Sequence, residues 1–385
     1  MSESDQQIPQ TPYEYYGYLR ENLPVGQSEQ DGPYQVARHE DVMKVLRDNV
    51  TYSSDVSLKP KEEKSVPSML FSDPPIHNRL RKLVSYAFKP GHIESQRNLI
   101  SDRCEELMLD LKGMSEADLV KQLAAPLPVT VIAHMLGVVE GDVGQFKYWS
   151  DTIFSNIGDI LFAQPTPEVE KAAAEMDAYF LERLEELRQH PVDHLLGRLV
   201  ETETDEGKLS NEELLSFCRL LLIAGNETTT GLITASVRIF DEFPWTFDRV
   251  RDEPALIPTF IEEALRFYSP FSATVRRTSC DTELAGVSIP EGSLVIPLIA
   301  SANRDERVFD RADDFVIDRR PNPHVAFGFG IHNCLGAHLA RLEGEIAVAS
   351  MTQHLKSIRL AAGETLDPAQ LGGPSCLQVE IVPAA

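Results

Sequence analysis

The most constraining stretch of this chain is Phe327-Gly328-Phe329-Gly330-Ile331-His332-Asn333-Cys334-Leu335-Gly336. Three glycines surround one cysteine, and a helical pattern begins directly after it and runs to about His354. Glycine lets a backbone approach a bulky planar group and turn its N–H groups inward. A thiolate at a helix start gains from those N–H groups and from the helix dipole. The segment is therefore suited to holding a cysteine as a metal-bound anion. For a cysteine taken alone, a buried thiol at a loop–helix junction is the commoner outcome. A zinc site could draw on His332, Cys334 and His338, but a second Cys or His pair at ligand spacing is missing. An iron–sulfur cluster takes about four cysteines, and Cys104, Cys218, Cys280 and Cys376 show no such spacing.

Helical periodicity dominates the remainder. Helices are expected over Thr11–Asn22, Glu40–Asp48, Ile76–Ala87, Ile93–Lys112, Leu127–Leu136, Gly144–Ile157, Pro167–His190, Val192–Thr202, Asn211–Glu242 and Pro254–Tyr268. Thr11-Pro12 and Asp73-Pro74-Pro75 read as helix starts. Pro33–Arg38, Ala273–Val287, Ser293–Leu298 and Leu377–Val382 read as strands, from alternation and β-branched residues. Asp305–Asn322 reads as a loop. The expected architecture is mostly α with a minor β region, as one domain over 1–385. The helical bulk lies at about 73–268 and 334–354, and the small β region at about 273–298 and in the C-terminal tail.

Composition narrows the function classes. The 385 residues are 42% hydrophobic and 25% charged, an ordinary globular balance. No run approaches the length of a membrane span, and Met1–Gln10 lacks the basic and apolar regions of a signal peptide. Five scattered cysteines point to a reducing cytosol rather than a disulfide framework. Sixty acids against 36 bases give a net charge of −24, which disfavours nucleic acid or an anionic membrane as partner. With 24 Arg against 12 Lys, the surface also suits concentrated salt.

Phe-Gly-x-Gly-x-His-x-Cys-x-Gly resembles the haem-binding loop of the cytochrome P-450 family, the haem-thiolate monooxygenases, and the likeness is closest to their soluble bacterial and archaeal branch. It extends from the helix at Asp73 to the final strand. The resemblance implies the cytochrome P-450 fold and haem b (iron protoporphyrin IX), with Cys334 as axial ligand to the iron. It places Phe327 near the thiolate sulfur and has N–H groups after Cys334, Gly336 among them, donate to it. His77 and Arg81 share a helix face at i, i+4, and by resemblance they bind a haem propionate, since cations offset carboxylates. Arg276 matches another propionate arginine, and His332 a further contact. Glu263-Ala264-Leu265-Arg266 matches the family's Glu-x-x-Arg ion pair, a brace for the haem loop. The arginine that many members place after a proline before that loop is missing here, and Arg319 is the candidate to complete the network. His324 takes no catalytic role.

Ala224-Gly225-Asn226-Glu227-Thr228-Thr229 lies inside a long apolar helix. Consecutive threonines compete for backbone carbonyls there, so a local bulge or groove is expected. In the family this matches the acid–alcohol pair. Glu227 would relay protons and Thr228 would hold the water network through which they pass, because splitting O₂ consumes two protons while the thiolate pushes electrons.

The implied reaction inserts one oxygen atom of O₂ into a hydrophobic small molecule such as a fatty acid, terpenoid or steroid. No Gly-x-Gly-x-x-Gly stretch or room for a fused flavin domain is present. Electrons must therefore come from a separate ferredoxin or flavodoxin with an NAD(P)H-linked reductase. A cytoplasmic monomer without membrane anchor is expected. The alternatives are an H₂O₂-dependent peroxygenase and a non-enzymatic haem sensor, and Glu227-Thr228 speaks against both. Apolar candidates for substrate contact are Val66–Phe71, Leu161–Pro167, Leu222, Phe271–Val275 and the tip near Cys376 with Leu377. Between Pro74 and His92 there is no acid but four cations, Arg79, Arg81, Lys82 and Lys89. Arg79 and Lys82 are accordingly expected to steer an acidic electron donor.

Overall fold

Ser210 starts the longest helix, Asn211–Glu242, with a reciprocal cap: its hydroxyl accepts from Glu213 N at 3.2 Å, and the Glu213 carboxylate accepts from Ser210 N at 2.8 Å. This helix is buried on most sides between Leu214 and Phe240, as suits a central rod rather than a surface helix. Around it pack the helices Pro126–Met135, Val143–Phe154, Pro167–Gln189, Ile257–Phe267 and Ala337–His354. A Cβ on Gly225 would stand 2.8 Å from Ile132 Cδ1, so the glycine is what lets Pro126–Met135 lie against the rod. The expected bulge is not seen. The helix runs unbroken through the threonines, and Thr228 Oγ1 donates to Ala224 O at 2.7 Å without displacing the ladder.

The chain is described here from a computed structural model that covers residues 11–27, 32–56, 68–85, 88–154, 165–203, 205, 207–364 and 373–384. The extreme N-terminus, the end of the helix expected over Gly144–Ile157, the start of Val66–Phe71 and most of Leu161–Pro167 lie outside the described residues. No helix among the described residues is long and apolar enough to cross a membrane.

Among the described residues, three small sheets flank the helices. The largest has the strand order Val25–Gln27, Tyr34–Val36, Leu294–Pro297, Arg276–Thr278, Tyr52–Ser53. Its middle pair, Tyr34–Val36 with Leu294–Pro297, is parallel and sets Val36 opposite Pro297, while Arg276 lies opposite Val295. A second sheet joins Glu116–Asp118, Gln378–Pro383 and Leu355–Leu360. A hairpin links Thr282–Leu284 to Val287–Ile289. Val25, Val36, Val42, Val45, Tyr52, Val295 and Val325 form one apolar cluster, with Phe329 packed against it. The N-terminal strands therefore support the segment that leads into the cysteine loop.

The β region extends further than alternation indicates. Tyr52–Ser53 and Glu116–Asp118 are too short to carry a period, and Leu355–Leu360 follows the last helix without a turn signal. A π-helical turn at Val120–Ala124, ahead of Pro126, also has no local marker.

Candidate functional site

The cysteine loop is shaped by backbone constraints on both sides of Cys334. Gly328 and Gly330 have φ of +68° and +74°, and a Cβ on Gly330 would stand 2.7 Å from Leu46 O. Gly330 is thus needed to pass the helix His39–Arg47, an intramolecular contact that the sequence alone does not disclose. Cys334 N donates to Phe327 O at 2.9 Å and closes the loop. The next helix, Ala337–His354, opens with Gly336 at its N-cap. Burial raises the Cys334 thiol above its ordinary value, while the N–H groups of Gly336 and Ala337 and the charges of Arg81 and Arg341 oppose that rise. This environment holds a sulfur anion once burial is offset by a positive partner.

Above the loop the fold gathers four basic side chains from three distant segments. His77 and Arg81 come from the helix Ile76–Ser85, Arg276 from its strand, and His332 from the loop. The rings of His77 and His332 lie 4.2 Å apart, centroid to centroid. His332 Nε2 meets Ser54 Oγ at 2.9 Å, and Arg81 donates to Asn333 O at 2.8 Å. Among the described residues Arg276 donates only to its own neighbours, Val275 O at 2.8 Å and Thr274 Oγ1 at 3.4 Å. His77 is 1% exposed, and its Nε2 has no partner among the described residues.

The electrostatics of this cluster are unbalanced. His332 is pushed down to about 3 by burial and by the nearby His77, Arg276 and Arg81, and burial also lowers His77. Arg276 falls to about 10 because burial outweighs the one acid it feels, Asp73. That carboxylate is already engaged by Ser53 Oγ and by Ser54 N. An orphaned buried imidazole nitrogen and a buried guanidinium without a carboxylate fit a ligand that brings its own anions. A metalloporphyrin with two carboxylates beside a cysteine has that chemistry.

Glu227 lies on the central helix, beside the helix Val143–Phe154. Asn226 Nδ2 donates to Glu227 Oε1 and to Ser150 Oγ, each at 3.2 Å. Burial and the nearby Asp151 raise Glu227 above the usual carboxylate range, and Lys147 partly offsets this. Thr228 follows it, its hydroxyl proton committed to Ala224 O. Thr229 donates to Glu343 Oε2 at 3.3 Å; burial raises this glutamic acid to about 8. Glu343, one of two glutamates within the helix Ala337–His354, gave no signal in the sequence.

The Glu263–Arg266 pair is fully buried, with nitrogen and oxygen 2.8 Å apart. Arg319 completes it, its Nε 3.0 Å from both Glu263 oxygens. Val316 N and Asn322 Nδ2 also donate to Glu263, and Arg266 donates to Asn303, Ala312 and Asp314 carbonyls. The basic run near Arg79 reads differently in space. Arg79 pairs with Glu213 at 2.6 Å and Lys82 with Asp205 at 2.5 Å. An acid-free sequence is thus answered by acids 120 or more residues away, and the expected steering patch is neutralised within the chain. Of the apolar substrate candidates, Leu222 and Leu377 show 0% exposure and pack in the main core.

Comparison with known proteins follows the same line. The cytochrome P450 family profile matches residues 246–370. Erythromycin C-12 hydroxylase of Saccharopolyspora erythraea is 40% identical over 343 residues, 87% of this chain and 85% of that protein. The structure of cytochrome P450 CYP109Q5 from Chondromyces apiculatus matches with a TM-score of 0.89 at 36% identity, over 97% of this chain and 96% of that one. CYP109E1 from Bacillus megaterium, solved in complex with testosterone, matches with a TM-score of 0.86 at 34% identity, over 96% of this chain and 99% of that one. The chain belongs to the cytochrome P450 family, the haem-thiolate monooxygenases. Haem is the cofactor that this family implies.

Proposed function

We propose that this protein hydroxylates or epoxidises a hydrophobic small molecule of the steroid, terpenoid or fatty-acid kind. Electrons come from a separate ferredoxin or flavodoxin and its NAD(P)H-linked reductase, in the cytoplasm. The observation that carries this reading is the unbalanced basic cluster His77, Arg81, Arg276 and His332 beside Cys334. Bound haem supplies O₂ activation and the transfer of one oxygen atom. A relative that hydroxylates erythromycin and a structural neighbour that binds testosterone support a bulky, largely apolar substrate.

The chain's own residues have distinct tasks in this reading. Cys334 ligates the iron through its sulfur, which the N–H groups of Gly336 and Ala337 stabilise as an anion. Phe327 fixes the loop through its carbonyl, which accepts from Cys334 N. His77, Arg81, Arg276 and His332 would hold the propionates of a bound haem. Glu227, raised by burial, carries a proton closer to neutral pH than a solvated glutamate does and passes it inward. Thr228 gives its own proton to Ala224 O, so its lone pairs are free to accept from water and orient it.

The test is the reduced, carbon-monoxide-treated protein. The wild type gives the red-shifted Soret band of thiolate ligation, and Cys334→Ser loses it while keeping its helical circular dichroism. A wild type lacking that band overturns the ligand assignment. Turnover with peroxide alone, equal to that with reductase and ferredoxin, overturns the need for an electron donor.

A further inference from the structure

Glu263 is braced inside the fold, but its neighbour Glu262 turns outward into a second network. Glu262 Oε1 accepts from Arg341 Nε at 2.6 Å and Oε2 from Arg341 Nη2 at 2.9 Å, a bidentate fork. The same Oε2 lies 3.1 Å from His324 Nε2. His324 Nδ1 accepts from Ala326 N at 3.2 Å, so its ring proton sits on Nε2 and points at the carboxylate. These donors hold Glu262 down to about 2, ionised at any working pH. The Arg341 guanidinium, so clamped, lies over the Phe327 ring with its carbon 4.4 Å from the centroid. Phe327 is joined by its backbone to Cys334, and Arg341 stands about one turn along the helix that starts beside the cysteine.

We infer that Glu262 and Arg341 form a paired-charge device that tunes the reduction potential of the cysteine-ligated iron, with Arg341 raising it and Glu262 holding Arg341 on Phe327 while cancelling part of its charge. The inference rests on the reading of Cys334 as iron ligand. Reduction adds one electron to the centre, so a cation nearby favours the reduced state and an anion disfavours it. Both side chains are about one-third exposed, at 32% each, so solvent weakens the field without removing it. Glu262 is a positioning residue here, because it acts through Arg341.

The experiment is a spectroelectrochemical titration of the ferric–ferrous couple in the haem-loaded protein. Arg341→Gln shifts the equilibrium toward ferric by roughly threefold to tenfold, or about 30–60 mV downward at 59 mV per tenfold for one electron. Glu262→Gln shifts it upward by a smaller factor, about twofold to threefold. Arg341→Lys keeps the charge and stays near the wild type. Opposite signs for the two neutral variants separate charge tuning from a loosened loop, which moves both the same way. Shifts in one direction, or none beyond about 1.5-fold, overturn the inference. If Arg341→Gln fails to fold, the sign for Glu262→Gln decides. A wild type without the thiolate Soret band overturns the ligand reading as well, whereas an intact band with unmoved potentials overturns only this inference.

Discussion

The buried cluster around Glu263 and the one around His77 and Arg276 differ in one respect. Around Glu263 every strong donor has an acceptor: Arg266 and Arg319 face the carboxylate, and the remaining guanidinium protons reach backbone carbonyls. Around His77 and Arg276 the basic groups face one another and weaken each other's hold on a proton, and the nearest acid is committed elsewhere. Burying a charge is costly unless it is paired. A closed cluster is therefore part of the scaffold, and an open one is a receptor whose missing charge arrives with a ligand. Similar residue types thus have different purposes, and the balance of charge around them tells which.

The largest effect should come from breaking the closed cluster. Glu263→Ala leaves Arg266 and Arg319 without their carboxylate, and chemical denaturation should show a loss of roughly 3–5 kcal/mol. A loss below about 1 kcal/mol would erase the distinction. Next is Arg276→Ala. Denaturation of the haem-free protein should find it as stable as the wild type or more so, since an uncompensated buried charge is removed. Haem transfer to an acceptor globin should run about tenfold faster, the equivalent of one lost charge-assisted hydrogen bond.

Acid sharpens the comparison through the histidines. His332 is held at about 3 and His77 is also lowered, while an unfolded chain takes up protons near 6.5. Between those limits the unfolded state binds more protons, so stability falls as the pH falls through that window. For haem-free protein the loss from pH 7 to 5 attributable to the His332 ring should be roughly 2 kcal/mol, read as the difference from His332→Gln. Bound carboxylates should diminish it. The smallest effect belongs to the exposed pair Lys82–Asp205, where Lys82→Ala should change stability by less than about 0.5 kcal/mol and vanish in high salt.

Much of the fold could be read before any coordinates. The bounds of Asn211–Glu242 follow from Ser210, Glu213 and the apolar pattern, because capping and periodicity are local. The Glu263–Arg266 pair and the candidate Arg319 were accessible only through the family resemblance, since charges at i, i+3 are common and Arg319 lies 56 residues from Glu263. What escaped depends on distance along the chain. Arg79 and Lys82 look like a free basic patch until Glu213 and Asp205 are folded against them. Gly330 looks like room for a planar group, and proves to make room for Leu46 O. The buried Glu343 had no motif to announce it, because only its contact with Thr229 sets it apart from a surface helix acid.

The approach of Gly330 to Leu46 also bears on the order of manufacture. The N-terminal strands and the helix His39–Arg47 are made long before their partners at 276–297 and the loop they mould. Val25–Gln27 and Tyr34–Val36 can pair with each other at once, but the parallel partner Leu294–Pro297 follows only after more than two hundred further residues. The cysteine loop, moulded against Leu46 O, therefore takes its shape only after a helix made far earlier has been held in place for it.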